Sequence, residues 1–291
     1  MRPRVRALRL AVLALACALG AAGCSGAGAG PSSSSTTTGT AAASTPQAQL
    51  TAVVDQFRDE YGTTTIVLQL DNRTSASRTV VRAELVGSGF AAGTPWTGGI
   101  ELPPDQPLSL PASVGAPGCA STGGSNPSVR AVFADGTSLT VPAADPHDVL
   151  SRVRTEQCFA AVAHSAVDLR FADELQPGLS PQTAVLDLIV APPAGNPSTP
   201  AVLVSVSGTT LLAEDPAAPW PHDLALVANG SRVPLTFRPA RCDPHAVAED
   251  KIGTLIPLTL KVAGQTGVVK VPASATLKAA VYAFVGRACG W

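Results

Sequence analysis

Apolar positions recur in short runs with a period of two. Leu68 and Leu70 flank Gln69, Leu186 and Leu188 flank Asp187, and Val129, Ala131 and Phe133 alternate more loosely with Arg130 and Val132. That period turns one face of a strand to a core and the other to water. Turn-formers close the runs: Asp135-Gly136 separates residues 129–133 from 138–141, and Asn229-Gly230 separates 224–227 from 233–237. Both pairs supply the positive φ that tight hairpins need. Gly264-Gln265-Thr266-Gly267 stands in the same way between 256–262 and 268–271. Many short strands closed by such turns predict an all-β chain built of two-sheet sandwiches. One segment departs from the period. Asp243 before Pro244 is a helix start, with the carboxylate as N-cap and proline at the first helical position, and Gly253 is a stop.

The pattern occurs twice. Residues 50–164 and 165–291 carry the same landmarks in the same order: Val54-Asp55 against Val167-Asp168, 66–70 against 184–188, and 80–85 against 201–206. Pro95-Trp96 then answers Pro219-Trp220, Cys119 answers Cys242, and Cys158 answers Cys289. From tryptophan to the following cysteine is 23 positions in one copy and 22 in the other. The shared order predicts a duplicated unit: two tandem immunoglobulin-like β-sandwich domains, with Trp96 and Trp220 filling core or edge positions in each.

Ahead of the repeat, Arg2, Arg4 and Arg6 precede a mostly apolar run from Leu8 to Leu19 and the small residues Gly20-Ala21-Ala22-Gly23. Basic, apolar and small segments in that order predict a signal peptide over residues 1–23. The apolar run is roughly a dozen residues, short of the roughly 20 that span a bilayer. Cys24 after Ala-Ala-Gly resembles the lipobox of bacterial lipoproteins, although the family prefers leucine where this chain has Ala21. The resemblance implies acylation of Cys24, which becomes the first mature residue. Residues 24–49, the acylated cysteine and a stretch dominated by Ser, Thr and Ala, hold too little apolar or charged content to repay ordering, and are expected to form a flexible linker.

Six cysteines, less Cys17 in the peptide and Cys24 on the lipid, leave Cys119, Cys158, Cys242 and Cys289. An even remainder in an exported chain predicts disulfides. Four cysteines allow three connectivities, and only Cys119–Cys158 with Cys242–Cys289 respects the repeat.

Charge narrows the partners. Twenty Lys and Arg against 21 Asp and Glu leave no field of one sign, so nucleic acid is not an expected partner. Aromatic residues make up 4% of the chain, little material for a sugar-stacking platform. No Gly-x-Ser-x-Gly elbow or phosphate-cradling glycine loop occurs, and cysteines held in bridges cannot attack. The densest polar cluster contains Asp243, His245, Glu249 and Asp250, with His245 and Glu249 one helical turn apart. It has the residue types of a metal or hydrolytic centre, yet too few ligands to hold a metal, and the short helix accounts for most of it.

Cys242-Asp243-Pro244-His245 followed by Glu249-Asp250-Lys251 resembles the uncharacterised secreted lipoproteins of high-GC Gram-positive bacteria. That resemblance implies an envelope location and a β-rich domain pair. The expectation is therefore a non-catalytic protein anchored by lipid on the outer face of the cell membrane, without cofactor or metal, whose sandwiches bind a protein or a cell-wall polymer. A metal-binding or hydrolytic envelope protein using residues 243–250 is the alternative.

Overall fold

The computed structural model describes Thr45 and residues 49–120, 126–194 and 199–291. The expected signal peptide, Cys24 and nearly all of the linker lie outside the described residues. Residues from 49 onward belong to one compact unit, Ser44–Trp291.

The first half contains strands β1 (Leu50–Asp55), β2 (Thr65–Asn72), β3 (Arg78–Val86), β4 (Trp96–Leu102), β5 (Leu108–Ser113), β6 (Ser128–Phe133) and β7 (Ser138–Ala144), in the spatial order β4-β3-β6-β7-β1-β2-β5. The period of two does the expected work. Val129, Ala131 and Phe133 of β6 and Val141 and Ala143 of β7 are buried, and the residues between them are not. Gly136, at φ 82°, turns the chain between the two strands. β1 pairs antiparallel with β2 and, through Ala52–Ala143 and Val53–Ala144, parallel with β7. That second ladder welds β1-β2-β5 to β4-β3-β6-β7, so the first half is one continuous rolled sheet of seven strands.

The second half contains β8 (Asp168–Pro177), β9 (Ala184–Ala191), β10 (Ala201–Val206), β11 (Leu212–Glu214), β12 (Leu224–Leu226), β13 (Ser231–Pro239), β14 (Leu255–Val262) and β15 (Gln265–Pro272). They form two four-stranded sheets, β12-β10-β14-β15 and β11-β13-β9-β8. Strand for strand this repeats the first half: β12-β10-β14-β15 answers β4-β3-β6-β7, and β8-β9-β13 answers β1-β2-β5, with β11 added at the edge. β3 and β10 occupy the same place and each carries an irregularity in its ladder. Three landmarks are corrected. Val54-Asp55 ends β1, whereas Val167-Asp168 opens β8, so this match is out by a strand length. Asn229-Gly230 joins β12 to β13, which lie in different sheets, and is a crossover rather than a hairpin. The turn between β14 and β15 is Ala263-Gly264, both at positive φ, which brings Val262 opposite Gln265.

The chain is mostly β, but not all β, because a helix follows the last strand of each half. Helix α1 (Val149–Ala166) begins where the Asp145 carboxylate accepts the backbone N–H groups of Val149 and Leu150 at 2.8 and 3.0 Å. Helix α3 (Ala275–Cys289) is capped by the Ser274 hydroxyl, which accepts from the Leu277 N–H at 3.1 Å, and ends at Gly290 with φ 79°. It buries Leu277, Val281, Phe284 and Val285, a single helical stripe. Phe284 meets Phe237 of β13 edge-on, with ring centroids 5.8 Å apart. Between β13 and β14 lies the short α2 (Pro244–Ala248).

Two apolar cores result, one gathering residues 50–153 and the other residues 159–285. Helix α1 enters both. Val149, Leu150 and Val153 belong to the first core, and Phe159, Ala163 and Ala166 to the second. The expected boundary at 164–165 falls inside this helix. Phe159 sits against Gly267 of β15, where a Cβ would lie 2.4 Å from the ring, so glycine is what admits the aromatic side chain. Around that contact, Lys270 Nζ of β15 pairs with Glu156 at 2.6 Å. Arg152 donates to the Gln56 side-chain oxygen at 2.9 Å and lies 4.7 Å above the Tyr61 ring. Gln56, itself buried, donates to the carbonyls of Glu60 and Thr65 at 3.0 and 2.8 Å.

Candidate functional site

Both bridges have the pairing that respects the repeat. Cys119 joins Cys158 with Cα atoms 5.6 Å apart, and Cys242 joins Cys289 at 5.3 Å. The first cysteine of each pair stands in the loop between the fifth and sixth strands common to both halves, and the second stands on the following helix. Each bridge therefore pins a long helix back to its own sheet system.

The side chains of the dense polar cluster at residues 243–250 each have their own surroundings. The Asp243 carboxylate caps α2, accepting the backbone N–H groups of His245 and Ala246 at 3.0 and 3.4 Å. Helix α2 stops at Ala248, short of the expected Gly253, because Glu249 leaves helical geometry and the chain turns. His245 and Glu249 are exposed, with the Glu249 backbone N–H bonded to the His245 carbonyl. Asp250 points inward. One oxygen accepts from the Thr210 hydroxyl, and the other from the Tyr282 hydroxyl and the Gly253 N–H, both at 2.8 Å. A Cβ on residue 253 would fall 2.4 Å from Leu211, which is why the chain has glycine at this closure. Among the described residues no three His, Cys, Asp or Glu side chains gather as metal ligands. His147, His164 and His222 are all exposed.

Tyr282 belongs to the same network. Burial first, then the hydrogen bond to the Asp250 carboxylate, pushes its phenol well above the ordinary tyrosine range. A raised pKa in the fold stabilises the protein below the unfolded value, and this contribution is lost as pH climbs through the folded one. An alkaline spectrophotometric titration should therefore show Tyr282 ionising only above pH ~10, the free-phenol value, with unfolding accompanying it. Asp250→Asn should bring that ionisation down; an unchanged titration would refute the coupling.

The outer side of the segment forms a cavity of about 180 Å³ lined by Arg58, Thr210, Arg241, Glu249, Asp250 and Lys251. Arg58 opens the 3-10 turn Arg58–Glu60 that follows β1, so the cavity draws on both halves of the chain. Lys251 stood inside the motif that the sequence singles out, and Arg241 immediately precedes it. Arg58 lies 183 positions before Arg241 and nothing in the sequence connected them. Two further hollows lie along α1, but their charged side chains Arg152, Glu156 and Lys270 are already engaged in the contacts between halves.

No family model and no curated protein matches this chain. Among solved structures, it is similar at 16% identity to a protein of unknown function from Porphyromonas gingivalis W83, covering 78% of this chain and 96% of that one with a TM-score of 0.22. It is similar at 13% identity to CBD12 from CALX1.2, covering 70% and 75% with a TM-score of 0.21. A third similarity is to red sea bream transglutaminase, at 13% identity, 78% and 31% coverage and a TM-score of 0.22. At such scores none of these bears on fold or activity.

Proposed function

We propose that this chain is an exported lipoprotein, held to the outer face of the cell membrane by acylated Cys24, and that its tandem immunoglobulin-like sandwiches are a non-catalytic module binding a component of the envelope. The observation that carries the reading is the pair of disulfides, one per half, in an otherwise charge-balanced chain. Bridges of this kind persist in oxidising compartments and are rare in the cytosol. The basic-apolar-small order ending at Cys24 supplies the route, and the Ser/Thr/Ala stretch over residues 24–49 supplies reach between lipid and fold. An immunoglobulin-like reading of each half is supported by the recurrent strand order and by the parallel contact of the first strand with the last in the first half. The alternative centre at residues 243–250 is less well supported, since Asp243 serves as a helix cap and Asp250 has both oxygens occupied. Folds of this type host many unrelated functions, so the partner has to be argued from the surface.

The test is Cys24→Ala. The wild-type chain should fractionate with membranes and show a mature N-terminus of acylated Cys24 by mass spectrometry. The variant should appear in the medium or remain uncleaved. An unmodified N-terminus at residue 23 or 24 in the wild type would overturn the anchor.

A further inference from the structure

Resting on the envelope reading, the geometry points to a partner class: we propose that the cavity between the Arg58 turn and α2 binds a phosphodiester group of a hydroxyl-bearing envelope polymer.

The charge arrangement carries the inference. Three cationic side chains from two distant stretches of chain, Arg58 on one and Arg241 and Lys251 on the other, line one hollow. Among the described residues, none of the three is in an ion pair; the seven pairs present involve other side chains. Two carboxylates line the same hollow, Glu249 and Asp250, and among the described residues neither is in an ion pair with the three cations. Asp250 gives its oxygens to Thr210, Tyr282 and Gly253 and faces its own network. Three cations against two carboxylates leave the lining one positive charge in excess, which an anion seated among the cations offsets. Two guanidiniums, each with five N–H donors in a planar fork, suit the oxygens of phosphate in bidentate fashion, and the lysine adds a point charge.

Size and the remaining acceptor narrow the ligand. A volume of about 180 Å³ admits a tetrahedral oxyanion with its immediate substituents, while a drug-sized ligand fills about 300 Å³ or more. Glu249, exposed at the same cavity, repels a second anion but can accept a hydrogen bond from a hydroxyl. An isolated phosphate offers little to it, whereas a phosphodiester flanked by polyol or sugar carbons offers both groups. An anionic lipid headgroup shares this chemistry. A polymer is favoured because Arg58 follows the far end of β1, a strand of six residues, from the point at Gln49 where the linker joins the fold. At about 3.3 Å per residue that is roughly 20 Å from the linker's attachment.

The experiment uses the full chain, both bridges formed, in detergent. Titration with a glycerol-phosphate oligomer should give saturable binding that weakens as salt is raised. Arg241→Gln and Lys251→Gln should each weaken it about tenfold, the order expected for one charge-assisted contact. Arg58→Gln should do the same, although it lies in the other half of the chain, and Arg130→Gln, at the Glu84 pair, should change nothing. Glu249→Gln keeps an acceptor and removes a negative charge, so it should tighten binding, a result that loss of folding cannot mimic. No binding of the oligomer, or equal binding by the triple Arg58/Arg241/Lys251 variant, overturns the proposal. Preferential binding to phosphatidylglycerol vesicles, with the oligomer inert, overturns the polymer assignment. Neither result touches the anchor, which the Cys24 fractionation decides separately.

Discussion

Phe159→Ala should destabilise the protein by about 3 to 5 kcal/mol, the range for truncating a buried aromatic, and should split one unfolding transition into two. The side chain belongs to the second core and rides on a helix whose first turns belong to the other core, packed against a glycine that leaves it no slack. While that contact stands, neither half can open without pulling α1 from its partner. Trp96 and Trp220 make the test direct. Trp96 packs against the first core, and Trp220 is buried in the second, its indole N–H donating to the Thr236 carbonyl at 2.7 Å. In variants retaining one tryptophan at a time, denaturant curves from the two probes should coincide in the wild-type background and separate after Phe159→Ala. Separate curves before the substitution would mean that α1 does not couple the cores. A fragment starting at residue 166 should melt poorly for the same reason, since it lacks Phe159 and Ala163.

Cys289→Ser should be comparably damaging. The Cys242–Cys289 bridge spans 47 positions, and closing a loop of that length in the unfolded chain is worth about 4 kcal/mol in the chain-entropy treatment. The first-half bridge, across 39 positions, should be worth nearly the same. Loss of Cys289 frees α3 from the α2 loop and leaves Cys242 as an exposed thiol beside the Asp243 cap. Urea midpoints with and without the substitution measure the cost, and alkylation with peptide mapping locates the thiol. A midpoint unmoved by Cys289→Ser would show that α3 is held by its apolar stripe alone.

Much of this was legible from alternation and turn chemistry. The segment around Val129 became a strand of clean alternation, whereas those around Leu68 and Leu186 are buried beyond one face, and Asp187, expected on the water side, is itself buried. The cysteine pairing followed from the repeat, and Asp243-Pro244 was recognisable because a cap is local chemistry. Asp145-Pro146 does a similar service for α1, so two Asp-Pro-His sequences that are not repeat equivalents share a physical role. The long helices escaped notice for a different reason. In α1 the buried face relies on small residues such as Ala163 and Ala166 and is interrupted between Val153 and Phe159, where the helix passes from one core to the other. A stripe divided between two cores has no single period. In α3 the stripe Leu277, Val281, Phe284, Val285 was plain, but it follows a run of strands and was overshadowed by their pattern. The cationic cavity needed tertiary structure, since Arg58 meets Arg241 only after both halves have packed.

The double pairing of β1 has a mechanical meaning. Its six residues are hydrogen-bonded to β2 along their whole length and to β7 at Ala52 and Val53. Tension entering at Gln49 and resisted at Arg241 and Lys251, which share a cavity with Arg58 beyond the far end of β1, would pass from the strand into its neighbours. The ladder bonds would then be loaded together, in shear, rather than opened one at a time as in a peeled hairpin. Forced opening is governed by the unfolding rate rather than by equilibrium stability. A strand gripped on both flanks next to the end where the proposed lipid tether would enter is thus suited to sustaining tension.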